Sequence, residues 1–169
     1  DLNYTRKIWL RMQMKRQQII VNVVSRPSGP SGGGAEFLTR QIHQHLIDSG
    51  LESTLIFLTQ DGQKIGVGEY ALTHGPRSLK NITTLRRHCK KLLNEYEVVS
   101  VHAHLTYPIY FLAIACIGLP INLLCTEHST QNTRRKVPFF YFVERLIYKS
   151  FKKIICISDG VRENMIDWL

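Results

Sequence analysis

Apolar residues along the chain follow two patterns that alternate with each other. Short runs such as Ile19 to Val24 are apolar without polar alternation, as expected for strands that are covered on both faces. Between them, apolar residues recur three and four positions apart, which is the period of a helix that buries one face. The predicted strands are 19–24, 54–58, 98–101, 121–125 and 154–157, and the predicted helices are 34–49, 79–94, 108–118, 139–150 and one after 158.

The first predicted helix is recognised from the spacing of its apolar residues. Ala35, Leu38, Ile42 and Leu46 fall at helical spacing, which predicts a helix over 34–49. Gly50 follows, and a glycine in the left-handed conformation commonly ends a helix. Residues 60–76 contain five glycine or proline positions and are predicted to form a loop.

Strand and helix therefore alternate about five times, which predicts an α/β fold. Short apolar strands joined by helices favour a parallel sheet with helices on both faces, in a Rossmann-like arrangement. In such sheets, ligands bind beyond the carboxyl ends of the strands. We expect one domain over residues 14–169, and we expect 1–13 to be a leader or upstream segment with poor order.

The charge of the chain is strongly basic and uneven. There are 22 basic and 13 acidic residues, giving a net charge of +9. Residues 77–91 hold six basic residues and no acid, and residues 134–153 hold seven basic residues with Glu144 as the single acid. Such segments are either solvated helix faces or a docking surface for acidic lipid. Nucleic acid is not expected as a partner, since no helix-turn-helix, RNA-binding aromatic motif or zinc pattern is found.

Cysteine usage and hydropathy bear on the location of the protein. Cys89, Cys116, Cys125 and Cys156 form no CxxC pair, so we interpret them as reduced, buried thiols of a cytosolic protein. No secretory signal is visible. The apolar stretch 107–125 is long enough to span a bilayer, but its glycine and prolines predict a buried helix, a turn and a strand.

Polar residues cluster where the predicted strands end. The first strand leads into a glycine loop, the third ends at His102 and His104, the fourth leads to His128, and the fifth leads to Ser158. The carboxyl ends of parallel strands meet at one edge of the sheet, so these residues form a candidate site. For each histidine alone, a packed or exposed structural role is the simpler interpretation.

The glycine loop does not match the common phosphate-binding motifs. Neither GxGxxG with a following acid nor GK followed by Ser or Thr is found near Gly33 and Gly34. A bare backbone at a helix N-terminus nevertheless suits a phosphate or a sugar hydroxyl. A simple hinge is the alternative.

Several motifs in order resemble one enzyme family. The segments "GGAE" at 33–36, "VHAHL" at 101–105, "TEHS" at 126–129 and "ERLIYKSFKKIICISDGVRENM" at 144–165 are similar to the N-terminal domain of retaining, nucleotide-sugar-dependent glycosyltransferases of the GT-B fold, of the family 4 type. The resemblance covers roughly residues 19–169.

The resemblance implies an incomplete enzyme. In this family two Rossmann-like domains face each other, and the C-terminal, donor-binding domain is expected to be absent from this chain. The whole protein would transfer a hexose from a nucleotide sugar to a glycan or lipid-linked acceptor with retention, as in polysaccharide biosynthesis. The resemblance implies no cofactor beyond the nucleotide-sugar co-substrate, no metal in this domain, and a cytoplasmic, peripherally membrane-bound protein. The fragment alone is expected to be inactive.

The resemblance also implies roles for individual residues near the glycine loop. Gly33 and Gly34 match the glycine pair whose backbone lies near the donor phosphates and the acceptor. Glu36 follows in the first turn of the helix, where a capping role is an equal alternative.

Two histidines and a serine carry the remaining implied roles. His104 matches the histidine that contacts the transferred sugar, and His102 is expected to point to the other side of the strand end. His128 is expected to face the cleft. Ser158 is interpreted first as a helix cap and second as a ligand contact. The rival hypothesis for the whole domain is a non-catalytic sugar-nucleotide-binding or interaction module of the same fold.

Overall fold

The computed structural model describes residues 16–27, 33–60, 62, 64–129 and 137–169. The expected leader 1–13 lies outside these residues. The described ranges contain six strands and five helices, in an order that alternates apart from one pair of adjacent strands. They are β1 (Gln18–Val24), α1 (Gly34–Asp48), β2 (Glu52–Phe57), β3 (Glu69–Ala71), α2 (Lys80–Glu95), β4 (Glu97–His104), α3 (Thr106–Ala115), β5 (Leu123–Glu127), α4 (Pro138–Lys149), β6 (Lys153–Cys156) and α5 (Asp159–Trp168).

The six strands form one parallel sheet in the order β3-β2-β1-β4-β5-β6. The chain moves outward in one direction from β1 to β3 and then in the other direction from β4 to β6. This is the doubly wound order of Rossmann-like domains, so the predicted fold class is confirmed. The direction reverses between β1 and β4, where a crevice opens at the carboxyl ends of the strands.

Helices cover both faces of the sheet, as predicted, but unequally. Helices α2 to α5 pack on one face and form the main core with Val21, Val101, Ala103 and Cys125. On the other face α1 contacts β1, β2 and β4. Burial of apolar side chains on the first face supplies most of the driving force for folding.

The most buried residues of α1 are polar. Leu38 is 46% exposed, whereas Glu36, Thr39 and His43 are buried. Polar partners make this possible, because His43 Nδ1 lies 2.9 Å from the hydroxyl of Ser53 and the Thr39 hydroxyl donates to a backbone carbonyl. Hydrogen bonds compensate for burying polar groups, so the apolar spacing that predicts this helix does not identify its most buried residues.

Strand β3 was missed inside the predicted loop 60–76. It has three residues and pairs with β2, from Leu55↔Glu69 to Phe57↔Ala71. An ion pair of 2.5 Å between Arg40 Nη2 and Glu69 Oε2 ties this edge strand to α1. A three-residue strand next to glycines carries too little periodicity to be recognised from sequence.

The apolar stretch 107–125 forms a helix, a turn at Gly118 with φ of 73°, and strand β5, as predicted. None of the helices in the described ranges is long and apolar enough to cross a lipid bilayer. The four cysteines are free thiols, and all but the half-buried Cys156 are buried. The prediction of buried thiols is therefore confirmed for the other three, and their reduced state stays a prediction.

Candidate functional site

The candidate site lies where β1 and β4 separate. Asn22 of β1 and His102 of β4 are register partners, and β4 continues to His104 because it pairs there with Thr126 of β5. The rings of His102 and His104 lie 4.1 Å apart between centroids, so both project from the same face. The expectation that His102 points to the other side is wrong, since residues i and i+2 of an extended strand share a face.

His104 is buried, with 1% of its surface exposed, but its polar atoms are incompletely used. Its Nε2 lies 3.4 Å from Asn22 Oδ1, a long hydrogen bond. Its Nδ1, the Asn22 Nδ2 atom and the His128 Nε2 atom are buried without a hydrogen-bond partner among the described residues. Buried polar groups are normally paired, so three unpaired atoms near one another mark a candidate contact for a polar ligand.

The other two histidines frame the ring of His104. His102 Nε2 lies 2.8 Å from the hydroxyl of Thr126, which fixes its orientation. His128 follows β5, and its ring centroid lies 6.0 Å from that of His104. The structure therefore brings together the two strand ends that the sequence predicted, and we call His102, His104, His128 and Asn22 the histidine cluster.

The histidine cluster is held in its neutral form. Burial lowers the pKa of His102 to about 4, with a smaller contribution from His128. Burial lowers the pKa of His104 to about 3, assisted by the two neighbouring histidines. Burial also lowers the pKa of His128, which the carboxylate of Glu36 partly opposes. Near neutral pH these rings can donate or accept hydrogen bonds without carrying charge.

The glycine segment faces the cluster through the first turn of α1. Gly33 is the N-cap residue, and no described side chain caps the helix. Its φ of −81° and ψ of 169° are open to any residue, and a Cβ on Gly34 would meet no described atom within 4 Å. Backbone geometry therefore does not require these glycines. A Cβ on Gly33 would come within 2.9 Å of Glu36 Oε2, which places the carboxylate at the same opening.

Leu105, directly after His104, has an unusual backbone. Its φ of 70° and ψ of 164° lie in a region that non-glycine residues rarely adopt. The side chain packs against Val24, Leu55 and Phe57, which holds the residue in this conformation. Such strain costs about 1–3 kcal/mol and concentrates at functional sites. The conformation of Leu105 ends β4 and directs the chain into α3.

A buried pair anchors the segment that carries His128. The Tyr148 hydroxyl of α4 donates to Glu127 Oε1, the last residue of β5. Burial and the neighbouring Glu127 carboxylate raise the pKa of Tyr148 far above its usual range, so it remains a donor. This contact pins α4 to the strand end next to His128.

Ser158 is placed apart from the cluster. It is exposed after β6, two strands away from β4 in the sheet. Its Oγ accepts a hydrogen bond of 3.3 Å from the Val161 backbone N–H, so the predicted helix cap is confirmed. A ligand contact by Ser158 stays a prediction.

Sequence analysis missed Asn22, and it included Leu105 and Thr126 only as members of the motifs "VHAHL" and "TEHS". For Asn22 a signal exists, because it is the one polar residue in the run "IIVNVV".

The described residues contain no group of three or more His, Cys, Asp or Glu side chains placed to hold a metal ion.

The doubly wound sheet with polar groups at its switch point defines a Rossmann-like α/β domain. The chain matches the family described as Glycosyltransferase Family 4 over residues 32–169, most of its length. It belongs to this family, which confirms the resemblance found from the motifs. No curated protein matches the chain.

Two solved structures are similar to the chain at low identity. One is an alpha-glucosyltransferase in complex with UDP and a 13-mer DNA containing a central A:G mismatch, at 12% identity and a TM-score of 0.48, covering 84% of this chain and 37% of that one. The other is UGT2 of Phytolacca americana complexed with UDP-2fluoro-glucose and pterostilbene, at 14% identity and 0.44, covering 82% and 36%. The chain thus spans little more than a third of either structure.

Proposed function

We propose that this chain is the acceptor-side domain of a retaining glycosyltransferase that uses a nucleotide sugar. The observation that carries the proposal is the histidine cluster, whose unpaired polar atoms lie at the β1/β4 switch point beside the open N-terminus of α1. The family membership of the chain supports the same conclusion.

His104 and His128 are the proposed contacts to sugar hydroxyls. A buried polar atom without a partner costs about 1–3 kcal/mol, and a hydroxyl that pairs with it recovers this cost. Neutral imidazoles suit hydroxyl groups because they donate at one nitrogen and accept at the other. In this arrangement His104 touches the transferred sugar, and Asn22 and Thr126 position the two rings of β4.

The backbone at Gly33 and Gly34 is the proposed approach for the donor phosphates. Helix α1 has 15 residues, and its first N–H groups have no intrahelical acceptor. The positive end of the helix dipole favours an anion there, and the absence of a side chain on Gly34 leaves the backbone accessible. We expect no metal in this domain, and the nucleotide sugar acts as co-substrate.

The chemistry of the proposed reaction is a same-face displacement. The bond from the anomeric carbon to the phosphate breaks, the acceptor oxygen bonds on the same face, and the leaving phosphate takes the acceptor proton. The acceptor-side domain positions the reacting groups and stabilises their charges, while a donor-binding domain supplies most of the nucleotide contacts. The proposed substrates are a hexosyl donor and a glycan or lipid-linked acceptor of polysaccharide biosynthesis, at the cytoplasmic face of an anionic membrane.

Steady-state kinetics on the protein that carries both domains test this proposal. His104→Gln preserves volume and should lower kcat/KM at least tenfold, a loss of about 1.4 kcal/mol in transition-state stabilisation. Gly34→Val should also block activity, since its side chain closes the approach to the backbone. His45→Gln, on the exposed side of α1, is the matched control. Full activity of His104→Gln would contradict the assignment, and donor binding without turnover in the unaltered protein would favour the non-catalytic alternative.

A further inference from the structure

Two buried cysteines meet where helices α2 and α3 pack together. Cys89 lies in the second half of α2, and Cys116 is the C-cap residue of α3, 27 positions further along the chain. Their side chains are 1% and 6% exposed, and the Cys116 thiol donates to Cys89 Sγ at 3.8 Å. The fold therefore places two thiols in direct contact, although the sequence separates them. We call Cys89 and Cys116 the thiol pair.

The thiol pair needs only a small movement to form a disulfide. Bond formation shortens the separation between the two Sγ atoms from 3.8 Å to about 2.05 Å. Changes in the two χ1 angles move sulfur atoms over such a distance while both helices stay folded. The packing of α2 against α3 therefore prepares the two side chains for a bond.

A guanidinium group lies beside the thiol pair. Arg86 Nη1 donates to the backbone carbonyls of Ala115 and Ile117, at 2.7 and 2.8 Å, and these two residues flank Cys116. The hydrogen bond from the Cys116 thiol lowers the pKa of Cys89, and the charge of Arg86 acts in the same direction, while burial opposes both. The same hydrogen bond, together with burial, raises the pKa of Cys116. When the pair loses one proton, the thiolate is therefore at Cys89 and the remaining proton is at Cys116.

The other two cysteines provide a comparison within the chain. Burial raises the pKa of Cys125, and the carboxylate of Glu127 adds to this effect. Cys156 is half-buried in the edge strand β6. The thiolate, and not the thiol, is the reactive form of cysteine. We therefore expect the thiol pair to be oxidised before Cys125.

The thiol pair lies close to the surface because Cys116 ends a helix. Ile117, the next residue, is 65% exposed, and Gly118 then turns the chain toward β5. Helix ends open locally at a lower free-energy cost than helix interiors. Such an opening admits a molecule as small as hydrogen peroxide to the two sulfur atoms.

We propose that Cys89 and Cys116 form a reversible oxidation site, which hydrogen peroxide converts into a disulfide between α2 and α3. The Cys89 thiolate attacks one peroxide oxygen, the O–O bond breaks, and the departing hydroxide takes a proton from solvent to become water. The Cys116 sulfur then attacks the sulfur of the sulfenic acid, the S–O bond breaks, and the leaving hydroxyl takes the Cys116 proton as a second water. Two thiols are oxidised and one peroxide is reduced. A dithiol reductant reverses the bond by thiol–disulfide exchange.

Mass spectrometry of the 169-residue chain tests the oxidation site. The reduced, folded chain is treated with a small excess of hydrogen peroxide, and its mass should fall by about 2 Da, the two hydrogens lost when a disulfide forms. Fragmentation of the digested protein should show a link between Cys89 and Cys116. Dithiothreitol should restore the original mass. Circular dichroism establishes that each sample is folded when the oxidant is added.

Matched variants and the unfolded chain separate this site from general thiol oxidation. Cys89→Ala and Cys116→Ala should each abolish the mass loss, whereas Cys156→Ala leaves the thiol pair intact and should retain it. In concentrated urea the link between Cys89 and Cys116 should become a minority product, because contact then depends on chain length and not on the fold.

Four outcomes would overturn the proposal. They are four unmodified thiols in the folded chain after peroxide treatment, a link that involves Cys125 or Cys156, a disulfide between two chains, and the same distribution of links with and without urea. The link is mapped in the unaltered chain, so the result stands even where an alanine variant fails to fold.

Discussion

Replacing His104 by glutamine should change how the stability of the domain depends on pH. Glutamine keeps a polar side chain of similar size in the buried position but cannot take up a proton. In the unfolded chain the histidine titrates near pH 6.5, whereas burial lowers its pKa to about 3 in the folded state. Below pH 6.5 the unfolded state therefore binds a proton that the folded state refuses, and stability is lost as the pH falls.

The size of the effect follows from the pKa difference. Each pH unit between 6.5 and 3 removes about 1.4 kcal/mol from the free energy of unfolding, so His104 accounts for a loss of about 2.7 kcal/mol at pH 4.5. Above pH 6.5 the ring is neutral in both states, so it does not contribute to the pH dependence of the free energy of unfolding. For a domain whose total stability is about 5–15 kcal/mol, this is a large fraction.

Urea denaturation at pH 7.5 and pH 4.5 measures the difference. From pH 7.5 to pH 4.5, the free energy of unfolding of the unaltered chain should fall by about 2.7 kcal/mol more than that of His104→Gln. The remaining titrating groups are common to both proteins, so their contributions cancel in this difference. His45→Gln, at an exposed position of α1, serves as the control and should retain the full loss. Parallel pH dependences for the unaltered chain and His104→Gln would refute a buried, neutral His104.

Three further outcomes follow from the structure. Ser158→Ala should lower the free energy of unfolding by about 1 kcal/mol through loss of the cap on α5, measured by urea denaturation. Gly34→Ala should raise it by up to about 1 kcal/mol because the site is open and helical. Gly33→Ala should gain nothing because Gly33 is the N-cap residue, where Ala is less favourable than Gly, and equal gains would contradict this assignment. The 169-residue chain alone should show no sugar transfer with a panel of nucleotide sugars, and turnover well above background would disprove this expectation.

The sheet could be predicted because its signals are local and repeated. Each strand except β3 is an apolar run with turn residues at its end, and the parallel arrangement follows from the alternation with helices. The strand ends also located His104 and His128 correctly near one another. The strand order adds the reason for their position, since the β1/β4 switch point opens a crevice there.

The remaining features depend on contacts between distant parts of the chain. The burial of His43 depends on Ser53, and the orientation of His102 depends on Thr126, which belongs to a neighbouring strand. The strained backbone of Leu105 depends on its packing against β1 and β2. The periodicity of one segment carries no information about partners on other segments. Hydrogen bonds to these partners, and not hydropathy, allow these polar groups to be buried.

The most direct test of the account is a product analysis with the protein that carries both domains. It is incubated with a panel of nucleotide sugars and glycan or lipid-linked acceptors, and the anomeric configuration of the product is determined by NMR. The account predicts transfer with retention from one donor, reduced at least tenfold in His104→Gln. Inverted product, or transfer that is unchanged in His104→Gln, would contradict it.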